Sequence, residues 1–197
     1  MGVLAALFVI DLAFLSLLTI QTASVLLLYA FLNVLYSFYL KHVAIMDILL
    51  VSSFYVLRIL TGGFAAHVPI SNWLVVTIIF SALLLVLGKR KSEFSHEIRR
   101  PVLVYYSGAY LDAMLSMAAG LTVIAYSLYI LIVHPVPFAV YTIFLVLLGV
   151  MRYLLLIYNG YNVESPEKVI WQDRIILMSI VCWIIVMYFI FYSAAIV

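Results

Sequence analysis

The sequence predicts an all-α membrane protein, a single bundle of seven transmembrane helices spanning residues 1–197. Three observations carry this expectation. Hydrophobic residues make up 69% of the chain and charged residues 9%, whereas soluble domains run at about 25% charged. The apolar runs fill nearly the whole length, each close to the ~20 residues a helix needs to cross hydrocarbon. None alternates polar and apolar at every second position, as a membrane barrel would, and lipid cannot satisfy an open strand edge. The single cysteine, Cys182, excludes an intrachain disulfide and a cysteine-based metal site. Met1-Gly2-Val3 carries no basic leader region, so no cleaved signal is expected.

The helices are expected over about 3–20, 22–40, 44–64, 72–87, 103–133, 137–156 and 174–195. Asp11 interrupts the first, and Arg58 lies inside the third. Pro69-Ile70-Ser71 stops the chain before the fourth and offers an N-cap at Ser71 or Asn72. Gly62-Gly63 is expected to end or loosen the third helix. Pro101 suits a first helical turn, and Pro135 and Pro137 divide the fifth helix from the sixth.

Charge sets the topology. One face collects Lys41, Lys89, Arg90, Lys91, Arg99, Arg100, Arg152, Lys168 and Arg174, while the connections on the other face carry no Lys or Arg. Basic residues favour the cytoplasmic side. The N-terminus is therefore expected inside and the C-terminus outside an inner, cytoplasmic membrane. The acids Asp47, Glu93, Glu97, Asp112, Glu164, Glu167 and Asp173 crowd the same basic face, which orientation alone does not require. Mixed cations and carboxylates suit a phosphate-rich ligand bound with a divalent metal.

The densest stretch is Gly88-Lys89-Arg90-Lys91-Ser92-Glu93-Phe94-Ser95-His96-Glu97-Ile98-Arg99-Arg100, with five of the ten basic residues. It reads either as a phosphate grip or as a loop that only orients its neighbours. Glu93 and Glu97 share a face if the helix continues; they would serve a metal or pair with Lys89 and Arg100. Asn33, Tyr36, Tyr39 and Lys41 lie at the basic end of the second helix, as site residues or as an interfacial belt. Tyr105, Tyr106, Ser107, Tyr110 and Asp112 give the fifth helix a polar first third. Asp173 and Arg174 belong to a polar connection and would serve a ligand or cap a helix. Asp11 and Arg58 would pair with each other, or Arg58 would snorkel.

Several of these segments, read together, resemble one family. Tyr36-Ser37-Phe38-Tyr39-Leu40-Lys41-His42, Asp47, Arg58, Gly62-Gly63, Pro69-Ile70-Ser71-Asn72-Trp73 and Gly88-Lys89-Arg90-Lys91-Ser92-Glu93 are similar to the UbiA superfamily of intramembrane transferases. The subgroup resembled transfers phosphoribose to decaprenyl phosphate. Tyr106-Ser107, Tyr110-Leu111, Arg152-Tyr153, Pro166-Glu167 and Asp173-Arg174 fit the same subgroup, in order along nearly the whole chain. The Gly-Lys-Arg-x-x-Glu element stands where aromatic prenyltransferases of the superfamily carry a second Asp-rich motif.

The resemblance implies a UbiA-like helix bundle with Mg²⁺ as cofactor. It implies phosphoribosyl diphosphate and a polyprenyl phosphate as partners in the membrane, with no nucleic acid; a second copy of the chain is an open alternative. Lys89, Arg90, Lys91 and Glu93 become the catalytic candidates, with Glu93 also the candidate metal ligand. Asn33, Tyr36, Lys41, Asp47, Tyr106, Tyr110, Asp112, Asp173 and Arg174 become the substrate-binding candidates. Family members have nine helices and an Asn-Asp-x-x-Asp motif that this chain does not contain. Its first helix therefore looks like the family's third, and the chain resembles a C-terminal part: a fragment, a late-assigned start, or a protein that has lost that half. Three other functions stay open. An aromatic prenyltransferase would want paired aspartates in place of Lys89-Arg90-Lys91. A transporter would want ionisable groups at mid-membrane with access from both sides. An inactive fragment or non-catalytic subunit would need none of these.

Overall fold

The computed structural model describes residues 19–95, 101–133, 136, 138–161 and 166–196. In chain order the helices are α1 (Ile20–Phe38), α2 (Met46–Ala65), α3 (Asn72–Ser95), α4 (Gly108–Val133), α5 (Thr142–Tyr158), the short α6 (Pro166–Gln172) and α7 (Arg174–Ile196). No strand occurs among the described residues. Five of the helical segments are long and apolar enough to cross a membrane. Six long helices are thus seen of the seven expected; nearly all of the expected first, 3–20, lies outside the described residues.

Local chemistry sets most helix ends. Thr19 caps α1 by accepting the N–H of Thr22, and Ser71 caps α3 by accepting the N–H of Leu74 at 3.1 Å. Three expectations need correction. The fourth helix does not stop at residue 87 but runs to Ser95, because Lys, Arg and Glu favour helix and no proline intervenes before Pro101. The fifth does not begin at residue 103. Pro101–Tyr105 is a 3₁₀ turn, and the Ser107 hydroxyl then caps α4 by accepting the Tyr110 N–H at 3.1 Å. Gly62-Gly63 does not end α2, which runs through both to Ala65.

Seven hydroxyls inside the spans are satisfied locally. Ser52, Ser53, Thr61, Thr77, Ser81, Thr122 and Ser127 each donate to the carbonyl one turn back, so none presents a bare polar group to hydrocarbon. The α3–α4 hairpin is the centre of the bundle, with α2 against α3, α1 against α2, and α7 against α5. Leu84, Leu87, Leu111, Leu115, Leu156 and Ile157 fill the core at the charged end, and Ala82, Ala118 and Ala119 let backbones approach closely. A second core of Tyr126, Ile130, Ala139, Met187 and Ile190 closes the other end. There Trp183 Nε1 donates to Tyr126 Oη at 2.6 Å, and Thr142 Oγ1 donates to the Ala139 carbonyl at 2.6 Å. The 2.8 Å contact between Tyr126 and Thr142 is therefore donated by the tyrosine.

Gly88 packs directly on α5: a Cβ there would collide with Tyr153 Oη and come within 2.9 Å of Ile157 Cδ1. A Cβ at Gly62 would meet nothing within 4 Å. Replacing a helical glycine with alanine gains about 1 kcal/mol, and overpacking a buried contact costs about 1–3 kcal/mol. Gly62→Ala is expected to raise the thermal unfolding midpoint in detergent, and Gly88→Ala to lower it. Shifts of the same sign would refute this packing.

Candidate functional site

The ends of α1, α3 and α5 meet the starts of α2, α4 and α7 at one end of the bundle, and the charges concentrate there. Arg90, near the end of α3, is 2% exposed and lies between two carboxylates. Its Nε donates to Asp47 Oδ2 at 2.8 Å and its Nη1 donates to Glu93 Oε2 at 2.7 Å. Asp47, in the first turn of α2, is fully buried, and Glu93 is 4% exposed. The helix places Arg90 and Glu93 on one face by their spacing of three residues. Three buried charges with net −1 are tolerable only because each carboxylate is directly paired.

Tyr106 completes this cluster from the α3–α4 connection. Its hydroxyl donates to Asp47 Oδ1 at 2.7 Å and accepts the Ile45 N–H at 2.6 Å. Burial pushes the phenol pKa up, and the neighbouring Asp47 carboxylate adds to the shift, so the hydroxyl keeps its proton as a donor. Tyr110 stacks on Tyr106 with ring centroids 5.8 Å apart and is itself exposed.

The three consecutive cations point in different directions, as helix geometry requires of neighbours. Arg90 turns inward toward α2. Lys91 Nζ lies 2.7 Å from Asp112 Oδ1 on α4, an ion pair off line for a hydrogen bond. Lys89 is half-buried and makes no ion pair among the described residues. The run of basic residues is therefore three separate groups with separate partners.

The remaining candidates have other surroundings. Tyr36 on α1 packs edge-on against Phe54 and lies within electrostatic range of Arg90. Asn33 is half-buried one turn earlier, and Lys41 is exposed in the 3₁₀ turn Leu40–His42. Asp173 caps α7: Oδ1 accepts the N–H groups of Ile175 and Ile176, and Oδ2 accepts Nε and Nη2 of Arg152 at 3.0 and 2.8 Å. The Arg152 guanidinium holds the Asp173 carboxyl below the usual carboxylate range. Both oxygens of Asp173 are thus spent on joining α5 to α7, while Arg174 is exposed. Arg58 donates to the Tyr29 hydroxyl at 2.9 Å and lies over the rings of Tyr29 and Tyr55. Asp11, Glu97, Arg99, Arg100 and Glu164 fall outside the described residues.

Sequence reasoning named every member of the buried cluster but treated them as separate candidates. It missed Arg152 as the partner of Asp173, and the backbone N–H of Ile45 as the partner of Tyr106. The first had a signal, since a basic residue ending an apolar run needs a partner. The second had none, because no residue type marks it.

An apolar cavity of about 260 Å³ lies between α3, α4, α5 and α7. Each helix offers one small residue to it, Ser81, Thr122, Gly149 and Ser179, and Tyr153 and Trp183 also line it. The three hydroxyls donate to carbonyls of their own helices, which leaves the lining effectively hydrocarbon.

No protein-family model matches the sequence. The chain is similar to curated proteins named decaprenyl-phosphate phosphoribosyltransferase. It is 29% identical to those of Mycobacterium tuberculosis H37Rv over 182 residues and Mycolicibacterium smegmatis over 183 residues, in each case covering 85% of this chain and 57% of the relative. The Corynebacterium glutamicum protein is 29% identical over 185 residues, covering 89% of this chain and 55% of the relative. The resemblance read from the sequence is thereby supported, and the chain spans somewhat more than half the length of the curated relatives it matches.

Proposed function

We propose that this chain carries a transferase site that takes phosphoribose from phosphoribosyl diphosphate and passes it to a polyprenyl phosphate. The buried Asp47–Arg90–Glu93 cluster at one end of an apolar helix bundle is the observation that carries it. An ion cluster costly to bury is hard to explain as a topology signal, which needs only exposed Lys and Arg. The named activity of the similar proteins supplies the reaction class.

In this reaction the ribose C1–O bond to diphosphate breaks, and diphosphate leaves with the electron pair. A lipid phosphate oxygen forms the new bond at C1. Negative charge on the leaving group grows through the transition state, so fixed cations accelerate the step. Lys89 has no ion pair among the described residues and is assigned to the diphosphate. Lys91 is the second contact, held ready by Asp112. Arg90 is a positioning residue, committed to Asp47 and Glu93. The apolar cavity beside Gly88 and Tyr153 is suited to hydrocarbon, so a prenyl segment would find no unpaired polar group there.

Mg²⁺ stays in the proposal as companion to the diphosphate. The described side chains do not fit a resident metal: no three His, Cys, Asp or Glu converge among them, and Asp47 and Glu93 are bound to Arg90. No part of the transfer is assigned here to a metal held by the protein.

Lys89→Ala is expected to weaken binding of phosphoribosyl diphosphate roughly 10- to 100-fold, as expected for one lost charge-assisted contact, with an unchanged unfolding midpoint. Calorimetry on the purified chain, with transfer to decaprenyl phosphate followed in parallel, checks this. Unaltered affinity in the variant, or no donor binding by the parent, would remove the assignment.

The basic end is proposed to face the cytoplasm. A single cysteine placed at Lys41 in a Cys182→Ser background should react with an impermeant maleimide only after the membrane is opened. Labelling in intact cells would reverse the orientation.

A further inference from the structure

Ile45 immediately precedes α2 and has φ = +70°. A positive φ is a genuine outlier for a β-branched side chain. Such a conformation persists only where its surroundings hold it, and it tends to mark a functional site. Ile45 cannot be relieved by simple rotation, because its carbonyl accepts the N–H groups of Ile48 at 3.1 Å and Leu49 at 3.0 Å and so begins the helix. Its own N–H points the other way, to Tyr106 Oη at 2.6 Å.

The same phenol oxygen donates to Asp47 Oδ1 at 2.7 Å. One atom thus bridges the backbone of residue 45 and the side chain of residue 47 across a sequence separation of about sixty residues. Tyr106 can do this because it is itself fixed. It is 6% exposed, its N–H bonds the Leu103 carbonyl at 3.1 Å, and its ring stacks on Tyr110. Arg90 and Tyr106 supply the side-chain hydrogen bonds to Asp47 among the described residues, and the α1–α2 connection supplies none. A relaxed Ile45 would swing the first turn of α2 and carry Asp47 away from Arg90.

We propose that Tyr106 is a positioning residue whose hydroxyl holds Ile45 at positive φ and thereby aims the Asp47 carboxylate at Arg90. This rests on the phosphoribosyl-diphosphate reading of the site, but the coupling between Tyr106 and Ile45 is separable from it. Glycine adopts positive φ at no steric cost. If the hydroxyl restrains Ile45, then Ile45→Gly should make that restraint unnecessary.

The test uses the full chain in detergent with Tyr106→Phe, Ile45→Gly and the double variant. Phenylalanine keeps the ring and its stacking and removes only the hydroxyl. Hydrogen exchange of peptides covering residues 43–49 reports the turn whether or not any ligand binds, and calorimetry with inorganic pyrophosphate and Mg²⁺ reports the site. Tyr106→Phe is expected to speed exchange in that segment and to weaken pyrophosphate roughly tenfold. Ile45→Gly alone is expected to leave affinity near the parent's, and in the Tyr106→Phe background to recover most of the lost affinity. If the parent fails to bind pyrophosphate, the phosphate reading fails, and exchange alone decides the coupling. Exchange and affinity unchanged in Tyr106→Phe would overturn the proposal. So would a double variant no better than Tyr106→Phe, since the tyrosine would then act through Asp47 without Ile45.

Discussion

One guanidinium holds the charged end of this protein together. Arg90 reaches from the end of α3 to Asp47 at the start of α2, and its own helix supplies Glu93 as the second carboxylate. With all three almost fully buried, removing one partner strands a charge where water cannot reach it, a loss of about 3–5 kcal/mol. An exposed pair would contribute ~1 kcal/mol or less. The position of α2 against α3, the strained turn at Ile45 and the bond from Tyr106 all converge on the same carboxylate.

That constraint separates the roles of neighbouring residues. On a helix, residues 89, 90 and 91 face about 100° apart, so three adjacent cations cannot share one ligand by sequence adjacency alone. Arg90 binds the protein to itself. Lys91 is tethered to Asp112 at the edge, and Lys89 makes no ion pair among the described residues. A fixed guanidinium at the base with more mobile ammonium groups above it matches the chemistry of each group: Arg forms rigid forked contacts, and Lys is a mobile point charge. Gly88 serves the same end. Its missing side chain lets Tyr153 of α5 close against α3 just before the charged turns begin.

Much of this was legible in the sequence. The apolar runs, the cap at Ser71 and the concentration of charge at one end follow from composition and spacing, and the structure keeps them. The end of α3 was misread because polarity suggested a loop. Lys89-Arg90-Lys91-Ser92-Glu93 is polar yet a good helix former, and its Arg90, Ser92 and Glu93 are buried rather than exposed to water. The start of α4 was misread because hydropathy does not distinguish a 3₁₀ turn from a helix, and the cap at Ser107 is only one residue. Asp173 admitted two readings, ligand or cap. Only its geometry, with both oxygens occupied, favours the cap. The pairing of Asp47 with Arg90 joins residues 43 apart in the chain, and no local pattern encodes such a partner.

The most direct test of this account is the thermal unfolding midpoint of Arg90→Met set beside that of the combined Asp47→Asn, Arg90→Met, Glu93→Gln variant. If the buried ion cluster holds the charged end together, the single change takes the buried cation away from both carboxylates and lowers stability by about 3–5 kcal/mol. Neutralising both carboxylates as well should then recover much of that loss. An Arg90→Met protein that unfolds at the parent's temperature would contradict the account, because the end of the bundle would then be held by its apolar packing alone.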